Sequence, residues 1–158
     1  MDVKPASSGI SAAALDPSAV LEVCLCHNIR RAARTIGRRY DAALASAGLT
    51  SGQFTILAAA AALSPLPLPV LREILAMDRT SLNRTLKPLE RNGLIEINAG
   101  AGRRAGHIVL TAEGAVTFRD AGQLWRAAQA DASQQLGAGR TGQFLSLLNG
   151  AATALHDQ

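Results

Sequence analysis

The chain has 158 residues, 48% of them hydrophobic, so it has the size of one domain and enough apolar side chains to build a core. Aromatic residues make up only 3%, which disfavours a protein that binds single-stranded nucleic acid by stacking bases on aromatic rings. The formal net charge is +4, and positive charge is concentrated between His27 and Leu110, a segment that contains twelve Arg or Lys residues and five acidic residues. This distribution suggests a polyanionic partner, although a solvated charged surface is the plainer interpretation.

The N-terminal part of the chain predicts an arm followed by a long helix. Residues 1–16 are small, polar and aperiodic, and we expect them to form a flexible arm. From Pro17 to about Ala47 the apolar residues keep helical spacing, and Gly48 ends the pattern. A helix of about thirty residues is roughly 45 Å long, which is more than one small core can cover. We therefore expect part of it to pack against a second subunit.

Two shorter helices and a connector are predicted next. Thr50 begins a helix with Gln53 three positions later, which is the arrangement of a capping box. The proline-rich segment SPLPLP, residues 64–69, is expected to be a rigid, non-helical connector. A short helix VLREILA follows, and after a tight break at Met77 the side chain of Asp78 is a predicted N-cap.

The helix after Asp78 has two different faces. Leu82, Leu86 and Leu89 share one stripe and predict docking on a core. The opposite stripe carries small polar and cationic side chains with a single acid, Glu90, at helical spacing: Thr80, Asn83, Arg84, Lys87 and Arg91. Asn92-Gly93 is a predicted left-handed end of this helix.

The remaining chain predicts a β-hairpin and then more helix. LIEIN and HIVLT alternate apolar and polar residues, and the loop AGAGRRAG between them carries Arg103 and Arg104. Beyond Thr111 the pattern is helical, with Val116 and Leu124 on one side. The last segment repeats apolar residues at helical spacing from Phe144 to Leu155.

A helix, a short helix, a tight turn, a polar-faced helix and a basic hairpin, in that order, form the layout of a winged helix-turn-helix. The chain resembles the MarR family of winged helix-turn-helix transcriptional regulators over about residues 17–156. The segments that carry the resemblance are IRRAARTIGRRYDAALASAGLTSGQFTIL, MDRTSLNRTLKPLERNGLI, and RR followed by IVLTAEG. It implies a mainly α fold with a small β-hairpin wing and with N- and C-terminal dimerisation helices. The implied divisions are an arm at 1–16, dimerisation helices at 17–47 and 112–156, and a DNA-binding lobe at 50–111.

The helix face and the hairpin loop supply the expected contacts to double-stranded DNA. An α-helix fits the major groove of B-DNA, where Arg84 and Asn83 suit guanine and adenine edges. The other expected contacts are to phosphates or, for the loop arginines, to the minor groove: Arg79, Thr80, Ser81, Lys87, Arg91, Arg103 and Arg104. The resemblance implies a homodimer on a near-palindromic operator, acting as a repressor.

The resemblance also implies release of the DNA by a small aromatic acid or phenol. The expected binding residues lie on three predicted helices, and each has an alternative role in the core or on a solvated surface: His27, Arg30, Arg31, Phe54, Leu57 and Trp125. Thermal-shift titration with benzoates and phenols tests this expectation.

Cys24 and Cys26, in the segment CLCHNIR, suggest release by an oxidant as the second possibility. On a continuous helix residues i and i+2 point about 200° apart, so these thiols would not bond to each other without unwinding. A bridge across the dimer or to a small thiol stays open, as does a plain packing role.

Other classes of function find less support. The three histidines have no paired metal-ligand spacing, no cofactor motif is present, and none of the common catalytic motifs occurs, so we expect neither metal, cofactor nor enzyme activity. No run of eighteen apolar residues and no leader is found, so we expect a cytoplasmic protein without a membrane partner. The alternative is a winged-helix module that binds proteins and has no specific DNA target.

Overall fold

The computed structural model describes residues 16–100, 105–137 and 139–155. It is mainly helical with one small antiparallel sheet, as the sequence predicts. The helices are α1 (Pro17–Val23), α2 (Leu25–Leu44), α3 (Ser51–Leu63), α4 (Leu68–Leu75), α5 (Arg79–Arg91), α6 (Ala112–Leu136) and α7 (Arg140–Ala154). The strands are β1 (Leu66–Pro67), β2 (Ile95–Asn98) and β3 (His107–Leu110). The chain forms two compact units, residues 1–36 and 37–158.

In the first unit, the predicted helix from Pro17 to about Ala47 is wrong in one respect, because it is interrupted. Cys24 has extended backbone angles, φ −69° and ψ 110°, between α1 and α2. The Asn28 amide donates to the carbonyls of Leu21, Glu22 and Cys24 at 3.3, 3.1 and 3.0 Å. The bonds to Leu21 and Glu22 satisfy carbonyls that the interrupted helix leaves without partners, whereas the Cys24 carbonyl also accepts the Asn28 backbone N–H. Apolar spacing continues across the break, so periodicity alone does not reveal it.

Both helix starts of the first unit are capped by side chains. The Asp16 carboxylate accepts the Ser18 N–H at 2.9 Å, with Pro17 at the first helical position. The remainder of the predicted arm, residues 1–15, lies outside the described residues. The Cys24 Sγ accepts the His27 N–H at 3.4 Å, so the residue that interrupts one helix also caps the next.

The second unit contains the core and begins with a capped α3. A short 3-10 turn, Ala45–Ala47, ends at Gly48 with φ +68°. Thr50 and Gln53 form the predicted capping box, since Thr50 Oγ1 accepts the Gln53 N–H and Gln53 Oε1 accepts the Thr50 N–H. The core that α3 joins contains buried apolar residues from every α-helix and strand of the unit except α7: Leu44, Leu49, Phe54, Ile56, Leu57, Ala60, Leu66, Leu71, Leu82, Leu86, Leu89, Leu94, Ile95, Ile108 and Ala121.

The prediction that the whole proline-rich connector is non-helical is wrong at Leu68 and Pro69, which belong to α4. Leu66 and Pro67 form β1, which pairs antiparallel with β3, and the Leu68 N–H donates to the Gly106 carbonyl at 2.8 Å. The sheet order is β1-β3-β2. Helix α4 also begins at Leu68, earlier than expected, because a proline in the first helical turn has no N–H that needs a partner.

The predicted ends of α5 and the hairpin are confirmed. Ala76 takes a left-handed conformation with φ +48°, and Asp78 caps α5. The helix buries its leucine stripe and ends at Gly93, whose φ is +69°. Strands β2 and β3 pair antiparallel from Ile95–Leu110 to Asn98–His107.

The last helix carries apolar side chains that its own chain leaves uncovered. Helix α7 has no buried residue within the described part of the chain. Leu147 and Leu155 keep 73% and 69% of their surface exposed. The predicted apolar stripe is therefore present, and within one chain it lacks the cover that such a stripe needs.

Candidate nucleic-acid interface

The N-terminus of α5 is fixed by one carboxylate. Asp78 Oδ1 accepts the N–H groups of Thr80 and Ser81 at 2.8 and 2.9 Å, and Asp78 Oδ2 accepts the Ser81 hydroxyl at 2.7 Å. Hydrogen bonds from the Ser81 N–H and hydroxyl, and from the Thr80 N–H, lower the pKa of Asp78 below its ordinary value. The Ser81 hydroxyl, one of the predicted phosphate contacts, is thus engaged in the cap.

The opposite side of α5 from the leucine stripe is exposed as predicted. An open concavity runs along it, lined by Thr80, Asn83, Arg84, Lys87, Pro88, Glu90 and Arg91. In the residues described, salt bridges join only Arg39 to Asp131 and Arg119 to Asp120, so the cations of α5 have no ion-pair partner there. An exposed row of unpaired cations can neutralise phosphates at little desolvation cost.

The hairpin lies in the same unit as α5, and its paired part is well defined. Asn98 pairs with His107 at the last register position before the loop. Arg103 and Arg104, predicted at the loop tip, lie outside the described residues. The third strand, β1, was not predicted, and it joins the hairpin to the start of α4.

The predicted effector residues separate into two groups. In the second unit, Leu57 is fully buried and Phe54 is 7% exposed, so both are core residues. The Phe54 ring lies 5.1 Å from that of Phe118 and 6.1 Å from that of Trp125, which is itself 37% exposed. In the first unit, His27 is half-buried and Arg30 and Arg31 are exposed.

The cysteines are free, and their surroundings differ from the expectation. Cys26 is exposed in the first turn of α2, whereas Cys24 is half-buried and extended at the helix break. The prediction that the two thiols point about 200° apart depends on one continuous helix, and the helix is interrupted at Cys24. No group of three or more His, Cys, Asp or Glu in the described ranges is placed to hold a metal ion.

One junction was missed by reasoning from the sequence. Thr111 caps α6, and its hydroxyl donates to the Gly93 carbonyl at 2.7 Å while accepting the Gly114 N–H at 2.9 Å. Only its cap could have been predicted, because threonine is a common N-cap residue.

The length and hydropathy of the helices bear on a membrane role. Taken singly, no helix of the described residues is long and apolar enough to cross a bilayer. The segments Leu25–Ala47 and Ser51–Leu63 pass the test together as a pair bent by 72°, by length and composition only.

A capped helix with an exposed cationic face, preceded by a short helix and followed by a hairpin, defines a winged helix-turn-helix protein. No protein-family model matches the sequence. The transcriptional regulator MosR from M. tuberculosis is 35% identical in one crystal structure, with 85% of this chain and 98% of that chain covered and a TM-score of 0.73. A second structure, of MosR in complex with DNA, is 37% identical, with 83% and 97% covered and a TM-score of 0.71. The chain belongs to the MarR family of transcriptional regulators.

Two further similarities are more limited. An uncharacterised HTH-type regulator from Bacillus subtilis, YwoH, is 30% identical over 89 residues, which are 56% of this chain and 65% of that protein. This chain therefore spans about two thirds of the length of that relative. The transcriptional repressor CouR, bound to a 23-mer DNA duplex, is 23% identical with a TM-score of 0.74, covering 87% of this chain and 99% of its own. It supports the fold. These relatives are described as regulators and none as an enzyme.

Proposed function

We propose that this protein is a homodimeric transcriptional repressor that binds a near-palindromic site in double-stranded DNA. The observation that carries the proposal is the exposed face of α5, where Arg84, Lys87 and Arg91 have no ion-pair partner among the described residues. The leucines on the other side of the helix are buried to 2% exposure or less. Because the core holds that side, the cationic side is the one that α5 presents to a partner.

The dimensions of α5 suit the major groove. An α-helix with its side chains is about 10–12 Å in diameter, and the groove is about 12 Å wide. Asn83 and Arg84 have the side chains that read adenine and guanine in pairs of hydrogen bonds, and both are exposed. We assign phosphate contacts to Arg79, Thr80, Ser81, Lys87 and Arg91, and minor-groove contacts to Arg103 and Arg104. For Ser81 the contact requires the hydroxyl to donate its hydrogen to a phosphate oxygen in place of Asp78.

The relatives support DNA as the partner. MosR and CouR have both been crystallised with DNA, and MosR is the more similar in sequence. We infer that residues 50–111 form the DNA-binding lobe. A regulator of this kind works where the DNA is, which agrees with the expected cytoplasmic location, and it needs no catalytic activity.

The dimer is inferred from apolar surface at both ends of the chain. Leu25 in α2 is 74% exposed, and Leu147 in α7 is 73% exposed. A second copy of the same chain would cover such residues, and two-fold symmetric dimers are the commonest oligomers. We therefore assign residues 17–47 and 112–156 to dimerisation.

Fluorescence anisotropy tests the DNA-binding function. Labelled DNA from upstream of the protein's own gene is compared with a scrambled duplex at several salt concentrations. We expect one dimer per near-palindrome, selective binding, and a steep fall in affinity with salt, because phosphate contacts release counterions. Equal, weak binding to both duplexes with a shallow salt slope would instead support the alternative, a winged-helix module that binds proteins.

The first candidate signal for release is a small aromatic acid or phenol. CouR has also been crystallised with p-coumaroyl-CoA, an aromatic thioester. In the second unit, the partly exposed Trp125 is the accessible member of the predicted set, and its ring stacks on Phe54. A ligand that packs on Trp125 would raise the melting temperature. Titration with benzoates and phenols, repeated on Trp125→Ala, measures this.

The second candidate signal is an oxidant, and the helix break favours it. A continuous helix would point the Cys24 and Cys26 side chains about 200° apart, and the extended backbone of Cys24 interrupts the helix at this point. Oxidation by a peroxide would remove two protons and two electrons from the thiols, form the S–S bond and reduce the peroxide to water or alcohol. The Cys24 thiol now caps α2 by accepting the His27 N–H, and this cap would be lost on oxidation.

Mass spectrometry and DNA binding distinguish the oxidant from the aromatic ligand. After peroxide treatment we expect loss of two hydrogens per chain, weaker DNA binding, and recovery with a dithiol reductant. Peroxide-induced release that persists in the variant with both Cys24→Ser and Cys26→Ser would contradict the thiol mechanism.

A further inference from the structure

The end of α5 is fastened directly to the start of α6. Gly93 and Leu94 follow α5, and their carbonyls both meet Thr111, the N-cap of α6. The Thr111 hydroxyl donates to the Gly93 carbonyl at 2.7 Å, and the Thr111 N–H donates to the Leu94 carbonyl at 3.2 Å. The same hydroxyl accepts the Gly114 N–H at 2.9 Å. One side chain thus ties the end of one helix to the first turn of another.

Gly114 shows how close this contact is. A Cβ atom placed on Gly114 would lie 1.9 Å from the Leu94 carbonyl oxygen and 2.9 Å from its carbonyl carbon. Backbone atoms do not yield as the end of a flexible side chain does. Any side chain at position 114 would therefore push α6 away from the segment that ends α5.

Helix α6 is also held near its other end. The Tyr40 hydroxyl donates to Gln129 Oε1 at 2.5 Å, and Arg39 contacts Asp131 at 3.4 Å. These bonds join the end of α2 to the C-terminal half of α6. Burial raises the pKa of Tyr40, so the phenol keeps its proton and can donate. The helix is thus attached to α5 at one end and to α2 at the other.

We propose that Thr111 and Gly114 are positioning residues that set the angle of α5 relative to α6, and thereby the separation of the two DNA-reading helices in a dimer. This inference rests on the proposed function. Neither residue touches DNA in the proposal. Their effect is on the spacing between half-sites that the dimer accepts, because a tilt of α5 at its fastened end moves its exposed face.

A set of operators with altered spacing tests this inference. Each duplex keeps both half-sites and has one base pair added or removed at the centre, which shifts them by about 3.4 Å. We expect the natural protein to lose roughly tenfold in affinity for either change, comparable to one mismatched base pair. Thr111→Val removes the hydroxyl at nearly constant shape, and we expect its preference among the three spacings to fall below about threefold.

Three comparisons separate positioning from general stability. Thr111→Ser keeps the hydroxyl and should restore the natural spacing preference. Thr55→Val removes one hydroxyl that bonds to the Ser51 carbonyl at 3.0 Å in α3, and it should keep the preference. Gly114→Ala, measured below its melting temperature, should lose the spacing preference as Thr111→Val does. The affinity of Thr111→Val for scrambled DNA and its salt slope should equal those of the natural protein.

Different results would contradict the proposed function and the positioning role of the junction. If the natural protein does not distinguish its operator from scrambled DNA, the proposed function is wrong. If the natural protein is selective and folded Thr111→Val or Gly114→Ala keeps the same tenfold spacing preference, the function stands and the positioning role of the junction is wrong.

Discussion

Two side chains on the exposed face of α5, Arg84 and Lys87, have different expected roles. Arg84 has the planar fork that pairs with guanine, whereas Lys87 carries a point charge suited to phosphate. Arg84→Ala should cost about 1 to 3 kcal/mol and relax selection at one operator position. Lys87→Ala should weaken binding to all sequences alike and reduce the salt slope by about 1. Anisotropy on single-base operator variants measures both.

The control for lost charge is Arg126→Ala, because Arg126 is exposed on α6 and has no part in the proposed interface. It should leave both selectivity and the salt slope nearly unchanged. Identical losses for Arg84→Ala and Lys87→Ala on every duplex would contradict the division into base and phosphate contacts.

Asp78 predicts a dependence of stability on pH. Its folded-state pKa lies below the ordinary 3.8, because the ionised carboxylate accepts hydrogen bonds from Ser81 and Thr80. A lowered folded-state pKa gives stability that is complete above the unfolded value and is lost as pH falls through the folded one. Asp78→Asn keeps an acceptor oxygen and does not titrate.

The melting temperatures of the natural protein and Asp78→Asn should therefore converge as the pH falls below about 4. All other carboxylates, including the capping Asp16, are common to both proteins. A difference in melting temperature that is independent of pH would show that the charge on Asp78 does not contribute.

At the scale of elements, two glycines predict opposite effects on stability. Gly93 ends α5 at φ +69°, a conformation that costs an L-residue about 1 kcal/mol or more. Gly122 lies within α6 with a helical backbone and open space around it, where alanine is about 1 kcal/mol better than glycine. Gly93→Ala should therefore lower the free energy of unfolding, and Gly122→Ala should raise it.

Urea denaturation at one fixed protein concentration measures both changes, because the stability of a dimer depends on concentration. Both variants lengthen the side chain by one methyl group, so each serves as the control for the other. Destabilisation by both would indicate that Gly122 meets a surface outside the single chain.

The elements that the sequence predicted well are those determined by local chemistry. The capping box at Thr50, the N-cap at Asp78 and the stop at Gly93 each depend on residues within four positions. The break at Cys24 was missed because its stabilising side chain, Asn28, acts on carbonyls up to seven residues away. Strand β1 was missed because its partner, β3, lies about forty residues further along the chain.

Some parts of the candidate site could be predicted from the sequence and others could not. The exposed face of α5 follows from helical periodicity and is where the sequence placed it. The effector residues stay a prediction; among those of the second unit, Phe54 and Leu57 are core residues and Trp125 is partly accessible. Contacts of backbone with backbone, such as Gly114 against Leu94, leave almost no trace in residue type.

At the scale of the whole molecule, α7 predicts how the dimer can be separated. Leu147→Lys places a charge on a residue that is 73% exposed in the single chain, so the monomer should stay folded. In a dimer that buries Leu147, the same charge is costly. Sedimentation velocity should show a shift towards monomer, and operator affinity should fall with it.

Asn149→Lys is the matched control. Asn149 is exposed on the same helix, about 200° around from Leu147. Its substitution by lysine adds the same charge on the other side of the helix. It should remain dimeric. A Leu147→Lys protein that sediments like the natural dimer would place the interface elsewhere.

The proline-rich connector also protects the molecule from self-association through its sheet. Strand β1 forms one edge of the sheet, and exposed edges invite pairing with other chains. Backbone donors alternate sides along a strand, so Pro67, beside the inward-donating Leu68, occupies a position whose donor would point outward. Proline has no N–H there, so an incoming strand would find no donor at that position. This edge therefore resists aggregation while its inner side holds the hairpin.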